Sequence, residues 1–316
     1  MQSKLSRALA PKRPGAPALT PRQFVRAWWQ ALRPPFFIVD LIPVGLGGAL
    51  AARELGHWPW GLFALVMVGC FCLHTVANIA NDLFDYIEGV DTEETIGGTH
   101  VIQNGWISPR QISLTILGLL LATVLIGWRL ISCSGQEWLW GPVVFAVLSA
   151  VFYVAPPIRY GCRGYGELFV CLNMGFIMVE GSYAVMANGF SPQALALALP
   201  VGLMVAGILY YQSLPEIETD LAAGKRTLAN ILGKSKAELV FRLWWPAVWV
   251  LMGNLWACGL AGWPVFLGLL TFPLYWRACR LIREAVEWLE LDRHGHLVRK
   301  LYLINGALLI AGVVWG

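Results

Sequence analysis

Along the chain, long apolar stretches alternate with short polar connections. A helix that crosses a bilayer needs about 20 mostly apolar residues. Nine stretches approach that length: 35–53, 59–80, 111–131, 138–155, 168–188, 193–213, 240–259, 262–279 and 298–316. Nine such spans occupy roughly 180 positions, so the connections are short and no second domain fits. The pattern predicts an all-α, polytopic membrane protein with nine transmembrane helices. Residues 1–30 form a basic, Pro-rich tail and 31–316 a single nine-helix domain. The tail, basic from Lys4 to Arg22, has no short apolar region followed by a cleavage site, so a cytoplasmic tail is expected rather than a signal peptide.

Composition narrows the class. Of 316 residues, 57% are hydrophobic and 13% charged, with 16 Trp and a mean hydropathy of +0.61. Soluble domains carry nearly twice that charge fraction, which excludes an ordinary soluble enzyme and a disordered or collagen-like chain. The net charge of +4 does not point to nucleic acid, because the bases are segregated by side. With the N-terminus inside, 21 of the 23 Lys and Arg fall in the tail, the 82–110, 156–166 and 214–239 loops, Arg242 and the 277–300 loop. Only Arg53 and Arg129 fall on the other side. The positive-inside rule then predicts N-in, C-out, a multi-pass protein of the cell membrane. The seven Cys lie mostly in apolar stretches without a CxxC pair and read as reduced, small apolar residues.

Acidic residues concentrate at two places, both cytoplasmic in this topology. Six of the 19 lie between Asp82 and Glu94, at the end of the second span, and three more between Glu216 and Asp220, after the sixth. Asn78, Asn81, Asp82 and Asp85 are offset by three, four and seven positions, which puts them on one helical face, with His74 a turn earlier. If the backbone stays helical through the second group, Glu216 and Asp220 share a face one turn below Gln212. Two carboxylates about 4 Å apart repel by roughly 4 kcal/mol at an effective dielectric near 20, so such a cluster takes up protons or binds a cation. Asp, Glu and Asn oxygens suit Mg²⁺, or Mn²⁺, rather than zinc. Magnesium is usually held by one or two carboxylates together with phosphate oxygens of a substrate. Two acidic faces at one membrane surface therefore suggest a metal-bridged diphosphate, with Asn78, Asp82, Asp85, Glu216 and Asp220 as candidate ligands. Lys225 and Arg226 follow the second cluster directly, and Arg33 and Arg159 stand in other cytoplasmic segments; all four are candidates for phosphate oxygens. Two intramembrane acids, Asp40 and Glu180, lie outside both clusters, and such residues are functional by default.

At these residues the chain resembles the UbiA-type intramembrane aromatic prenyltransferases, and within them the 1,4-dihydroxy-2-naphthoate polyprenyltransferases of menaquinone biosynthesis. The resemblance runs from about residue 30 to the end. It is carried by Arg33-Pro34, by Asn78-x-x-Asn81-Asp82-x-x-Asp85 with Gly89-Val-Asp91, by Val101 to Gly105 with Ser108 to Gln111, by Tyr153 to Arg159, and by Glu216 to Leu228. Glu216 stands where the family usually has Asp. The resemblance implies a nine-helix bundle around a central cavity open to lipid, with a cytoplasmic cap. It also implies Mg²⁺-dependent transfer of a polyprenyl group from a polyprenyl diphosphate to a small aromatic acceptor, 1,4-dihydroxy-2-naphthoate, with release of diphosphate and CO2. The acidic residues would hold Mg²⁺ on the diphosphate, with Lys225 and Arg226 over the phosphates. Tyr153, Asp40 and Glu180 are candidates for the acceptor site, Tyr153 having an alternative role as an interfacial anchor. A membrane terpene cyclase acting on a prenyl diphosphate alone, and transfer to a different aromatic acceptor, are the alternatives.

Overall fold

A computed structural model describes residues 4–12, 15, 18–89 and 98–316. Among these the only extended pairing is an isolated bridge between Arg163 and Arg226; everything regular is helical. In chain order the helices are α1 (Lys4–Ala8), α2 (Pro21–Leu32), α3 (Ile38–Leu55), α4 (Trp60–Glu88), α5 (Pro109–Ser134), α6 (Trp140–Phe152), α7 (Gly166–Ala187), α8 (Pro192–Ser213), α9 (Ile217–Ala222), α10 (Leu228–Ala257), α11 (Trp263–Glu284) and α12 (His296–Val314). Each of the nine hydropathy stretches falls on one of the longer rods. Six of them, α4, α5, α7, α8, α11 and α12, are long and apolar enough to cross a membrane. The others differ for local reasons. Helix α3 carries Asp40, Arg53 and Glu54, α6 has only 13 residues, and α10 bends at Gly233, whose φ is 72°.

The helix ends follow their sequences. Ser108 caps α5 through Gln111 in a reciprocal capping box with Pro109 in the first turn, and Thr227 caps α10 through Asn230 in the same way. Helix α4 stops at Gly89, which takes the left-handed conformation (φ 75°) and donates its N–H to Asp85 and Tyr86. Helix α7 contains a wide, π-helical turn over Cys171–Ile177. There it meets α8 closely: a Cβ on Gly175 would stand 2.7 Å from the Gly202 Cα, and one on Gly202 2.7 Å from the Cys171 carbonyl oxygen. Only small residues allow backbones this near.

Two apolar clusters result. The larger fills the bundle between α3, α7, α8, α10 and α12. The smaller joins Ala27 and Ala31 of α2, Ile79, Leu83 and Ile87 of α4, Val101, Ile102 and Ile107 of the following loop, and Ile112 of α5. Each fully buried Ile or Leu there contributes about 1.5–3 kcal/mol, so this second cluster clamps the acidic end of α4. The stretch read as a tail therefore contains a docked helix, and its boundary at residue 30 falls inside α2. Arg7 adds a hydrogen bond from Nη1 to the Ile87 carbonyl (2.9 Å).

Candidate functional site

The bundle encloses a cavity of about 710 Å³ that runs from the acidic end of α4 down between α4, α5, α6, α7 and α8. Its lower wall is mostly apolar, apart from Asp40, His74, Thr123, Asn173 and Ser182, and its other polar residues gather at the mouth. Of the residues singled out from the sequence, Asn78, Asp85, Glu216, Asp220, Lys225, Arg33, Tyr153 and Asp40 line it.

The two acidic clusters meet at Lys225. Its Nζ stands 3.9 Å from Asp85 Oδ2 and 3.6 Å from Asp220 Oδ1. The two carboxylates thus lie no farther apart than those two distances laid end to end, although 134 residues separate them along the chain. Both Asp are buried, and Asn81 donates to Asp85 Oδ2 at 3.0 Å. Burial alone would push the Lys225 pKa down. The neighbouring Asp85 and Asp220 more than offset this and hold it above the usual lysine range.

The second cluster is not one continuous helix. Pro215 follows the end of α8, and the backbone turns before α9 begins. The expected one-turn spacing survives, because the Asp220 N–H donates to the Glu216 carbonyl at 2.8 Å. A tight loop then brings Lys225 back: its N–H donates to the Asp220 carbonyl (2.8 Å), and Asn230 Nδ2 holds its own carbonyl (2.8 Å). Glu218 points elsewhere, pairing with Lys234 at 2.7 Å, whose hydrogen bond and charge hold its carboxyl below the ordinary range.

Four predicted residues lie off the cavity wall. Asp82 accepts from Arg33 Nη2 (2.7 Å) and from Thr99 Oγ1 (2.5 Å). Arg159 pairs with Glu88 at 2.5 Å. Arg226 is exposed at the surface, its N–H bound to the Cys162 carbonyl. Glu180 is buried far along α7, accepting from the Ser191 N–H at 2.8 Å. Arg33 and Arg159 share a conformation, φ near 50° for each (49° and 48°), which is uncommon outside glycine. Each side chain is fastened to an acid of α4.

The structure adds residues to the wall. Gln30 lines it from α2 while donating to the Thr99 carbonyl (2.8 Å), and Asp292 lines it from a turn whose Leu291 carbonyl accepts from Tyr211. The amphipathic spacing of Phe24, Ala27, Trp28 and Ala31 signals the helix that carries Gln30. Nothing local signals Asp292. Tyr153 is seated by Gly161, where a Cβ would come within 2.8 Å of its ring, and it packs edge-on against Tyr160 at 5.3 Å. All seven cysteines are free.

The donors at the mouth suit a hard cation shared with an oxyanion. They are carboxylate and amide oxygens, and among the described residues no three His, Cys, Asp or Glu side chains converge tightly enough to hold an ion by themselves. That fits an ion whose coordination is completed by ligand oxygens and water. Two donors on lining residues, Arg33 Nε and Asn78 Nδ2, are buried without a hydrogen-bond partner.

The family model described as the UbiA prenyltransferase family matches residues 41–287. The 1,4-dihydroxy-2-naphthoate octaprenyltransferase of Haemophilus influenzae is 30% identical over 68% of this chain and 72% of its own. The 2-carboxy-1,4-naphthoquinone phytyltransferase of Synechocystis is 25% identical over 96% and 97%. Among solved structures, a UbiA homolog from Archaeoglobus fulgidus superposes with a TM-score of 0.61 at 16% identity, covering 92% of this chain and all of that one. The same homolog bound to GPP and Mg²⁺ gives 0.58 at 15% identity over 90% and 99%.

Proposed function

The chain belongs to the UbiA prenyltransferase family, and from that premise we propose that it transfers a polyprenyl group from a polyprenyl diphosphate to 1,4-dihydroxy-2-naphthoate, releasing diphosphate and CO2. The observation that carries this reading is the seating of Lys225 between Asp85 and Asp220 at the mouth of a long apolar cavity. An ammonium flanked by two acidic faces is the charge pattern that accepts a metal diphosphate. The relatives named as naphthoate octaprenyltransferases support the choice of acceptor. In this reading all nine long rods cross the cell membrane, N-in and C-out, and the mouth faces the cytoplasm.

Asn78, Asp85, Glu216 and Asp220 would hold Mg²⁺, or Mn²⁺. The ion supplies positive charge to the diphosphate oxygens as the leaving group departs. Lys225 binds the same diphosphate and stabilises the negative charge that grows on it, which is electrostatic catalysis by a charge already in place. Arg33, held by Asp82, lines the mouth. Asp82 therefore orients a phosphate-binding group, and Arg159, tied to Glu88, steadies the rim. The apolar cavity wall keeps water from the allylic cation and houses the chain, and Tyr153 closes the acceptor side.

The test incubates purified protein with a long-chain prenyl diphosphate and Mg²⁺, with and without dihydroxynaphthoate, and identifies the lipid products by mass. Prenylated naphthoquinol formed only with acceptor is the expected result. A cyclised hydrocarbon formed without acceptor would replace this reading with terpene cyclisation.

A further inference from the structure

One polar pair on the cavity wall is unused by the diphosphate chemistry. Asp40 of α3 is fully buried, and both its oxygens accept from His74 Nδ1 of α4, at 2.9 and 3.1 Å. A carboxylate can only accept, so Nδ1 carries the hydrogen and a neutral ring keeps its lone pair on Nε2. Both residues line the cavity, and Nε2 has no hydrogen-bond partner among the described residues. The ring is held from the side by Phe37, 6.3 Å away, itself stacked on Phe71 at 4.9 Å. His74 lies one helical turn, about 6 Å, from Asn78, on the side away from the acidic mouth. The first carbons of a prenyl chain hanging from a diphosphate at that mouth reach this level. An ionised carboxylate in an apolar wall is costly, and hydrogen bonding within the fold uses only the Nδ1 side of the ring.

We infer that Asp40 and His74 form the acceptor's proton-handling site: His74 Nε2 binds a ring hydroxyl of the aromatic substrate and takes its proton, and Asp40 positions the imidazole. This rests on the aromatic-transferase reading above. As the O–H bond breaks, its electron pair moves into the ring, and the activated ring carbon bonds to the allylic carbon whose C–O bond to diphosphate is broken. Loss of the carboxylate from that carbon as CO2 leaves its electron pair on the ring system as a phenolate, which recovers the proton from His74. The ring ends with its hydroxyl and a prenyl group, the histidine is neutral again, and diphosphate and CO2 leave. A base in this role typically contributes 10²–10⁴-fold, and Asp40 serves as the orienting partner that fixes the tautomer.

The test uses the full chain in lipid nanodiscs with Mg²⁺, a long-chain prenyl diphosphate, and a series of hydroxyarenes running from dihydroxynaphthoate to halogenated analogues with more acidic hydroxyls. His74→Gln is expected to lower kcat with dihydroxynaphthoate about 100-fold while leaving KM for the prenyl diphosphate within about twofold. The deficit is expected to shrink about tenfold or more along the series, because an acceptor that ionises unaided needs no base. Asp40→Asn is expected to show the same trend more weakly, with Asp40→Glu recovering part of the loss. If His74→Gln does not accumulate as folded protein, Asp40→Asn carries the acidity test alone. A deficit that is constant along the series, or absent, overturns the inference while parent-enzyme transfer upholds the transferase reading. A parent enzyme that prenylates no hydroxyarene overturns both.

Discussion

Lys225 donates its backbone N–H to the carbonyl of Asp220 and sets its ammonium 3.6 Å from the same residue's carboxylate. One six-residue turn thus delivers a cation and an anion to the same point. The cation is shared with Asp85 across the cavity mouth. Lys225→Met should lower kcat about 10²–10³-fold, as loss of a charge placed for the departing diphosphate. It should also lower the unfolding midpoint in metal-free buffer, with recovery on adding Mg²⁺ and diphosphate, because two buried acids then lack their counter-charge. An unaltered midpoint together with unaltered turnover would remove Lys225 from the site.

Asp85→Asn and Asp220→Asn should each abolish diphosphate release while the protein still elutes as a folded species. Chelation with EDTA should mimic them in the parent enzyme, with activity restored by Mg²⁺. Release assays on the three samples decide the matter, and full turnover by either variant would exclude that residue.

Asp82 is predicted to behave differently from its neighbour one turn on. Its bonds to Arg33 and Thr99 fasten the rim, so Asp82→Asn and Thr99→Val should each cost about 1.5–3 kcal/mol of stability, read as a lower unfolding midpoint in detergent. Dependence on Mg²⁺ concentration should stay close to that of the parent. A large rise in the Mg²⁺ requirement with no change in midpoint would instead make Asp82 a metal ligand.

Because both aspartates hold the Lys225 pKa above its ordinary value, its proton is retained on the alkaline side. A raised pKa contributes stability that is complete below the unfolded value of about 10.4 and is lost only as pH climbs through the folded one. No alkaline fall in stability below about pH 10 should trace to Lys225. Unfolding midpoints of the parent and Lys225→Arg should therefore run parallel up to that pH; divergence near pH 9 would contradict the ion pairs.

The orientation can be read with two thiols. Cys133 and Cys258 are exposed at the ends of α5 and α10 remote from the cavity mouth. With the mouth inside, a membrane-impermeant maleimide should label them in intact cells, and Cys133→Ser with Cys258→Ser should abolish the signal. Labelling that requires lysis would invert the topology.

Much of this was legible along the chain because helical periodicity is local. The spacing of Asn78, Asn81 and Asp85 predicts a common face, and that face lines the cavity. The nine apolar stretches likewise coincide with nine rods. What was not legible depends on partners distant in sequence. The face alone does not say that Asp82 turns to Arg33, 49 positions upstream, nor that Arg159 turns to Glu88. The helix in the supposed tail is invisible to a hydropathy count because its stability comes from packing Ala27 and Ala31 on α4. Arg226 stands next to Lys225 yet ends at the surface, since the extended backbone between Gly224 and Thr227 sends successive side chains to opposite sides.

The wide turn at Cys171–Ile177 has a consequence for chain length. An α-helix closes its turns from residue i to i+4 and a π-turn from i to i+5, so this turn carries one residue more than an α-turn while α7 keeps its rotational setting beyond it. Removing one would let the segment close as ordinary α-helix with Ser182 and Tyr183 still facing Gly47 of α3, where the backbones now nearly touch, whereas adding one would swing them about a quarter of the way around the axis. A single-residue deletion should therefore be absorbed at this turn and a single-residue insertion rejected, making this segment a one-way molecular ruler for the bundle.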